Sequence, residues 1–204
     1  MSKEIRIFDF EVRAEQDEKH GSVITGRPIV YDARTNLGYY DEIIATGALD
    51  DADLKDVRFL VNHNTDMIPL ARSRNNNANS TMQMIVDEQG MAIRVDLDVE
   101  NNSEARNLYS AVNRGDISGM SFMFSVDEQD WTDADSEHPT RTILKLGRVY
   151  EVSAVTFPAY EQTSIQARGL SDALDGAKES LERERRRLEQ IRLKKQKIRI
   201  LSEV

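Results

Sequence analysis

The chain has 204 residues, of which 39% are hydrophobic and 31% are charged, and this composition supplies enough apolar material for one core of moderate size. It contains no cysteine, which excludes a disulfide scaffold, a thiolate metal site and a cysteine nucleophile. Only three histidines are present and the net charge is −9, which argues against a histidine-rich metal site and against nucleic acid as the main partner.

Targeting segments are not evident in the sequence. The N-terminal residues lack the apolar run of a secretory signal. No stretch reaches the roughly 18 apolar residues that a membrane span requires. We therefore expect a cytosolic protein or one enclosed in an intracellular assembly.

Short apolar runs bounded by turn residues predict one β-rich domain over residues 1–168. Alternation at period two predicts a strand at Ile5–Phe10. A second strand is predicted at Val23–Val30, with a bulge at Gly26. Asp87–Gly90 is typical of a hairpin turn. The remaining predicted strands are Val57–Val61, Thr81–Val86, Met91–Val99, Met120–Val126 and Arg148–Phe157.

Two helices are predicted between these strands. A short one covers Ala48–Lys55, and a clearer one covers Ser103–Arg114, whose apolar residues share one face. Asn101 with Glu104 forms a plausible capping pair, and Gly115 stands where the helix ends. Runs of strands with a few inserted helices predict an α+β fold built on a small barrel or sandwich.

The C-terminal residues 169–204 differ in kind. From Ala177 to Val204 there are ten Lys and Arg against five Glu, a net charge of +5, so the preceding residues carry −14. Apolar residues recur at heptad spacing, although Glu184 and Lys195 occupy two positions of the seam. One interpretation is a helix that pairs with itself or docks on a partner. The other is a solvated single helix held by Glu–Arg pairs, and nucleic-acid binding is a weaker third reading because no aromatic residue interleaves with the arginines.

No cofactor or metal site is predicted. The acidic stretch Asp127–Glu137 lacks the glycine and the ligand spacing of a calcium loop, so we expect a solvated loop there. A glycine-rich phosphate loop is also missing from the sequence.

Three polar residues in otherwise apolar strands are candidates for catalysis. They are His63, Ser121 and Glu151. Burial of such groups costs a few kcal/mol unless they are hydrogen-bonded, and a nucleophile–base–acid triad would satisfy all three. Taken singly, each has a simpler explanation: a satisfied core histidine, a small residue between aromatics, and a glutamate facing water.

Several segments, in order, resemble the prohead (capsid maturation) proteases of tailed phages, the HK97 type. Val61–Asn64 is similar to the family's histidine segment, Arg114–Phe124 to its serine segment and Glu151–Tyr160 to its "E-V-S-x-V-x-x-P-A-Y" segment. Weaker matches are Gly21–Val30, Glu42–Leu49 and Asp87–Met91.

The resemblance implies a serine peptidase that acts inside the immature capsid, with a β-barrel wrapped by helices as in the herpesvirus assembly proteases. It implies His63 as the base, Ser121 as the nucleophile and Glu151 as the acid that orients the imidazole. Ser118 and Ser153 are rival serines. The implied partners are the major capsid protein, its scaffolding segment and a second copy of the chain, with no membrane and no specific nucleic acid, in the host cytoplasm inside the procapsid.

Some residues depart from the family pattern. Thr46 replaces a proline, Leu49 a phenylalanine and Asn64 an aspartate, and the segment after His63 lacks an expected glycine. None of these changes removes a proposed catalytic group.

The rival hypothesis from a different class is a non-enzymatic assembly or scaffolding protein that acts through the C-terminal helix.

Overall fold

The computed structural model describes residues 3–8, 12–18, 21–156 and 166–202, and the side chains in these ranges except 7–8, 166–175 and 200–202. This part of the chain forms eleven strands and two helices, so the α+β class predicted from the sequence is confirmed. In chain order the elements are β1 (Glu4–Phe8), β2 (Val12–Asp17), β3 (Gly21–Val30), β4 (Thr35–Asn36), β5 (Asp41–Ile44), β6 (Asp56–Val61), β7 (Ala71–Arg74), β8 (Met82–Asp87), β9 (Gly90–Leu97), α1 (Ser103–Arg114), β10 (Gly119–Thr132), β11 (Thr140–Val155) and α2 (Gln166–Ser202).

The strands form two sheets that share one apolar core. The smaller sheet has the order β2-β3-β9-β8. The larger one has the order β1-β10-β11-β5-β4, and β6 and β7 extend it from β11. The long strand β11 pairs in parallel with β5 at residues 140–143 and with β6 at residues 151–154. This second pairing brings the C-terminal end of β6 to the C-terminal end of β11.

The barrel expected from the sequence is not closed in the described residues. The larger sheet ends at β1 and at β4, and no backbone ladder joins its two ends among these residues. Instead, the β10–β11 hairpin has four shifts of register between Met123 and Gln129. Bulges of this kind bend a sheet and increase its twist, so β1 approaches β5 through side chains alone.

Two local predictions are wrong. Residues 127–132 were expected in a solvated loop, but they continue β10. An antiparallel hairpin can expose one face to water, so a strand can carry charged side chains on that face. The stretch Ala48–Lys55 forms turns instead of a helix. Its hydrogen bonds reach three residues back, as from Ala48 N to Ala45 O, and Asp53 N then bonds to Gly147 O of β11.

The prediction for α1 is confirmed over Ser103–Arg114, with its N-cap shifted by one residue. Asn102, and not Asn101, caps the helix, because its side chain accepts hydrogen bonds from the backbone N–H groups of Glu104 and Ala105. Gly115 ends the helix at φ 79°, a left-handed conformation that glycine adopts without strain.

Four charged side chains are buried together where β1, β5 and β11 meet. They are Glu4, Arg6, Glu42 and Arg141, each at most 2% exposed, and we call them the buried ion cluster. Arg141 donates to both Glu4 oxygens, at 2.6 and 2.8 Å, and to Glu42 at 2.9 Å, while Arg6 donates to the same two carboxylates. The cluster therefore links β1, at one end of the larger sheet, to β5, the strand next to its other end, and no backbone ladder joins β1 to β5 among the described residues.

The cluster shifts the pKa values of its acid Glu4 and of the neighbouring phenol Tyr40 in opposite directions. Burial alone raises the pKa of Glu4, but hydrogen bonds and charges from Arg141 and Arg6 outweigh it and hold that pKa below its usual range. Burial raises the pKa of the Tyr40 phenol, which lies beside Arg6, to about 12. Both side chains are therefore in fixed protonation states near neutral pH.

We predict that acid destabilises the fold through this cluster. Because the pKa of Glu4 is lowered on folding, its contribution to the free energy of unfolding is complete above the unfolded value of 4.5 and is lost as the pH falls through the folded value. Urea unfolding between pH 7 and pH 3 should show a smaller decline in Glu4→Gln than in the wild type. The control Glu100→Gln, at an exposed position, should follow the wild type. Equal slopes in all three proteins would contradict the prediction.

Helix α2 packs against the tip of the β10–β11 hairpin through one short stretch. Ala177 is fully buried beside Tyr40, and Ser180 accepts a hydrogen bond of 2.9 Å from the indole N–H of Trp131. Arg185 donates to the carbonyl oxygen of Ala134 at 2.7 Å. Beyond Leu188 the described side chains are exposed. None of the described helices combines the length and apolarity needed to cross a membrane.

Candidate active site

The three residues proposed as a triad lie on adjacent strands of the larger sheet. His63 follows the end of β6, Ser121 lies in β10 and Glu151 lies in β11. Ser121 is the register partner of Ser153, two residues after Glu151, so these three side chains project from the same face. The parallel pairing of β6 with residues 151–154 brings the histidine to that face.

His63 and Glu151 form a direct pair. The imidazole Nδ1 lies 2.6 Å from Oε1 of Glu151, whose side chain is buried. The second carboxylate oxygen, Oε2, accepts a hydrogen bond of 2.5 Å from the hydroxyl of Ser153. That hydroxyl also accepts a bond of 3.1 Å from the backbone N–H of His63. The carboxylate and the histidine backbone are thus held by one serine.

The turn that carries the histidine has an unusual backbone. Asn62 and His63 have φ angles of 52° and 57°, in the left-handed region that side-chain-bearing residues seldom adopt. The side-chain oxygen of Asn62 accepts hydrogen bonds from Thr156, at 3.0 Å from its N–H and 2.9 Å from its hydroxyl. Backbone conformations of this kind persist where surrounding contacts determine them. The Asn62 contacts fix the turn against the end of β11.

Ser121 is not hydrogen-bonded to His63 among the described residues. Its hydroxyl donates 2.7 Å to the backbone oxygen of Arg6 on β1, and the residue is 0% exposed. The other imidazole nitrogen, Nε2 of His63, is buried and has no hydrogen-bond partner in the described part of the chain. A buried polar atom without a partner costs free energy, and Nε2 is the atom that a triad would direct at the nucleophile.

The two rival serines occupy different environments. Ser118 is exposed between α1 and β10. Ser153 is fully buried, with its hydroxyl engaged by Glu151 and by His63 N–H. In the sequence Ser153 is only a rival nucleophile, and no local pattern points to Arg6 or to the role of Asn62. The available signal for Ser153 was its spacing from Glu151. Residues two apart in one strand project from the same face, so this spacing places the serine beside the carboxylate.

Over residues 3–8, 12–18, 21–156 and 166–202, no three His, Asp or Glu side chains are placed to hold a metal ion.

Comparison with known proteins gives consistent matches. The family model described as "Caudovirus prohead serine protease" matches residues 8–175. The "Prohead protease" of Enterobacteria phage HK97 is 29% identical over 177 residues, which cover 85% of this chain and 71% of that protein. The solved structure of the bacteriophage T4 capsid assembly protease aligns with a TM-score of 0.39 and 11% identity, and covers 76% of this chain and 99% of that one.

Proposed function

Because the chain belongs to the Caudovirus prohead serine protease family, we propose that it is a serine endopeptidase whose triad consists of Ser121, His63 and Glu151. The observation that carries the assignment of residues is the 2.6 Å pair between Nδ1 of His63 and Glu151, with Nε2 left buried and unpaired. This arrangement is the base half of a triad, lacking only the nucleophile's hydrogen bond.

In the proposed mechanism, Glu151 accepts a hydrogen bond from the Nδ1–H of His63 and so fixes the tautomer in which Nε2 is the basic nitrogen. Nε2 takes the proton of the Ser121 hydroxyl as the serine oxygen attacks a peptide carbonyl. Glu151 stabilises the imidazolium that forms, and the imidazolium then protonates the leaving amine. Water releases the acyl group by the reverse proton transfers.

Ser121 must change its hydrogen bond before it can react. Its hydroxyl donates a hydrogen bond to the backbone oxygen of Arg6 on β1. Rotation about χ1 turns the hydroxyl away from β1 and toward β11, the other neighbour of β10. Because Ser121 stands directly opposite Ser153 on β11, the rotated hydroxyl is directed to the side of the sheet that holds Glu151 and His63.

The substrates that we propose are the major capsid protein, its scaffolding segment and the protease itself, cleaved inside the procapsid in the host cytoplasm. The name of the HK97 relative, "Prohead protease", supports this location.

We also propose a fold relationship to the herpesvirus assembly proteases, on the ground that a bent sheet with two helices carries the candidate triad. Residues 1–168 would form the protease domain and 169–204 an assembly element.

A serine-directed probe tests the enzyme class and the nucleophile together. A fluorophosphonate incubated with the purified chain, followed by mass mapping, should modify Ser121 alone. An adduct on Ser118 or Ser153 would overturn the choice of nucleophile. Absence of any adduct, together with intact capsid protein after co-expression, would instead favour the non-enzymatic scaffolding function.

The C-terminal segment supports a second, compatible role in assembly. Its seam residues Ile191 and Ile198 are 38% and 67% exposed, so this part of the helix has an apolar face without a described partner. Removal of the whole tail would uncover Tyr40 and Trp131, which Ala177 and Ser180 contact. A clean test therefore cuts after Leu188.

We predict that removing residues 189–204 preserves peptidase activity and prevents incorporation into proheads. The reason is that the described side chains of this segment, at positions 189–199, are exposed, so their loss uncovers no part of the protease domain. Activity is measured on capsid protein in solution, and incorporation by quantifying the protease in purified proheads. Leu193→Asp, which changes an exposed residue off the seam, is the matched control. Normal packaging of the shortened chain would contradict the assembly role.

A further inference from the structure

An open groove of about 440 Å³ lies between helix α1 and the turn that carries His63. Its walls are mostly apolar. Val61 and Met67 line it from the side of the histidine turn, and Leu108 and Ala111 line it from α1. Ile117 closes the end from which the chain leads into β10. We call this feature the α1 groove.

The α1 groove lies beside the turn that carries His63. Asn62 and Asn64, the residues on either side of His63, line it. Ile117 lies four residues before Ser121, at the entrance to the strand that carries this serine. A peptide whose scissile carbonyl reaches Ser121 therefore has an adjacent side chain within reach of the groove, because neighbouring side chains in an extended peptide are separated by about 3.3 Å per residue.

The chemistry of the lining indicates what fits. The apolar side chains of Met67, Leu108 and Val61 favour a long apolar side chain in the groove. The one ionisable residue among those lining the groove is Glu104, in the first turn of α1. Its carboxylate is exposed and makes no ion pair within the described ranges. An acidic group at the rim, on a domain of net negative charge, attracts a basic side chain.

We propose that the α1 groove is a substrate subsite that accepts a long aliphatic or methionine side chain beside the scissile bond, next to a basic residue that pairs with Glu104. The proposal rests on the peptidase function proposed above and adds to it the class of sequence that is cleaved. It assigns Ala111, Leu108 and Met67 a role in specificity and none in the chemical step.

The test uses the full chain and a library of peptides with randomised positions, with cleavage sites read by mass spectrometry. The wild type should cleave peptides with Leu, Ile or Met at one subsite and Lys or Arg at a neighbouring one. Ala111→Phe fills the groove, so cleavage of these peptides should fall about tenfold or more while peptides with Ala or Gly at that subsite are retained. Asn113→Phe, which adds the same ring at an exposed position of α1 outside the groove, should keep the wild-type profile.

The second arm examines the basic preference. Glu104→Gln should reduce the enrichment of Lys and Arg and leave the aliphatic preference intact, and Glu100→Gln is the exposed control outside the groove. Ala111→Leu serves as a milder variant if the phenylalanine variant unfolds in circular dichroism. An unchanged cleavage profile in a folded Ala111 variant, or an unchanged basic preference in Glu104→Gln, would overturn the subsite. A wild type that cleaves no peptide and no capsid protein would overturn the proposed function itself, and the two failures are thus distinguishable.

Discussion

Replacement of Ser121 by Ala is expected to lower the rate of capsid-protein cleavage by at least about 10³-fold. The substitution removes the oxygen that attacks the peptide carbonyl, whereas His63 and Glu151 keep their 2.6 Å pair. The fold should be retained, because the lost hydroxyl makes one hydrogen bond, to the Arg6 backbone oxygen, and one such bond contributes about 1 kcal/mol. Cleavage is measured by co-expression with capsid protein and by the electrophoretic mobility of the product.

The two other serines are matched controls for this experiment. Ser118→Ala changes an exposed hydroxyl and should leave cleavage unaffected. Ser153→Ala removes the contacts to Glu151 and to His63 N–H, so it should reduce activity but leave it measurable, since the nucleophile and base are present. If Ser121→Ala retains cleavage while either control abolishes it, the assignment of the nucleophile is wrong.

Replacement of Arg141 by Met is expected to lower the free energy of unfolding by about 3–5 kcal/mol. Arg141 is fully buried and donates to Glu4 and Glu42, so its removal leaves two buried carboxylates with Arg6 as their remaining cationic partner. A buried charge without enough oppositely charged or hydrogen-bonding partners is one of the few causes by which a single substitution lowers the free energy of unfolding this much. The quantity is measured by urea unfolding at neutral pH.

Arg34→Met is the matched control for Arg141→Met. Arg34 also pairs with a carboxylate, that of Asp41 at 3.0 Å, but its side chain is 59% exposed. Exposed pairs contribute at most about 1 kcal/mol, so the control should unfold close to the wild type. Equal losses in both variants would contradict the stabilising role of the buried ion cluster. Arg141→Lys, which keeps a positive charge, should give an intermediate loss.

The buried ion cluster also connects stability with the candidate active site. Arg6 contributes its guanidinium to the cluster and its backbone oxygen to the hydroxyl of Ser121. The position of β1, and therefore of the group that holds Ser121, depends on the same buried charges. Variants of the cluster that still fold are expected to alter the reactivity of Ser121 toward the fluorophosphonate.

Local patterns in the sequence were sufficient for elements whose stability is local. Helix α1 has the predicted ends because its apolar spacing, its capping asparagine and Gly115 all act within the helix itself. The hairpin turn at Asp87–Gly90 was also predicted from local residues, and it joins β8 to β9. At Gly90, φ is 128°, a conformation that favours glycine. The tertiary structure adds a second reason, because a Cβ atom there would lie 2.1 Å from the backbone oxygen of Ile29 on β3.

Elements that depend on distant partners were predicted less well. The distal part of β10 carries charged residues and has no local strand signal, yet it pairs with β11 along its length. Ala48–Lys55 has helix-forming residues, yet its backbone hydrogen bonds include one to Gly147 on β11. In both places a tertiary hydrogen-bond partner outweighs the intrinsic preference of the residues.

By itself the sequence determined the chemistry that is available to this protein: no thiols, few histidines, and three polar residues in apolar strands. Only the tertiary structure decided how these residues meet. The parallel pairing of β6 with β11 sets His63 against Glu151, whereas the β1–β10 pairing directs Ser121 to the Arg6 carbonyl. The physical reason is that hydrogen bonds and ion pairs between residues 88 to 137 positions apart depend on strand register and sheet bending, which no local pattern encodes.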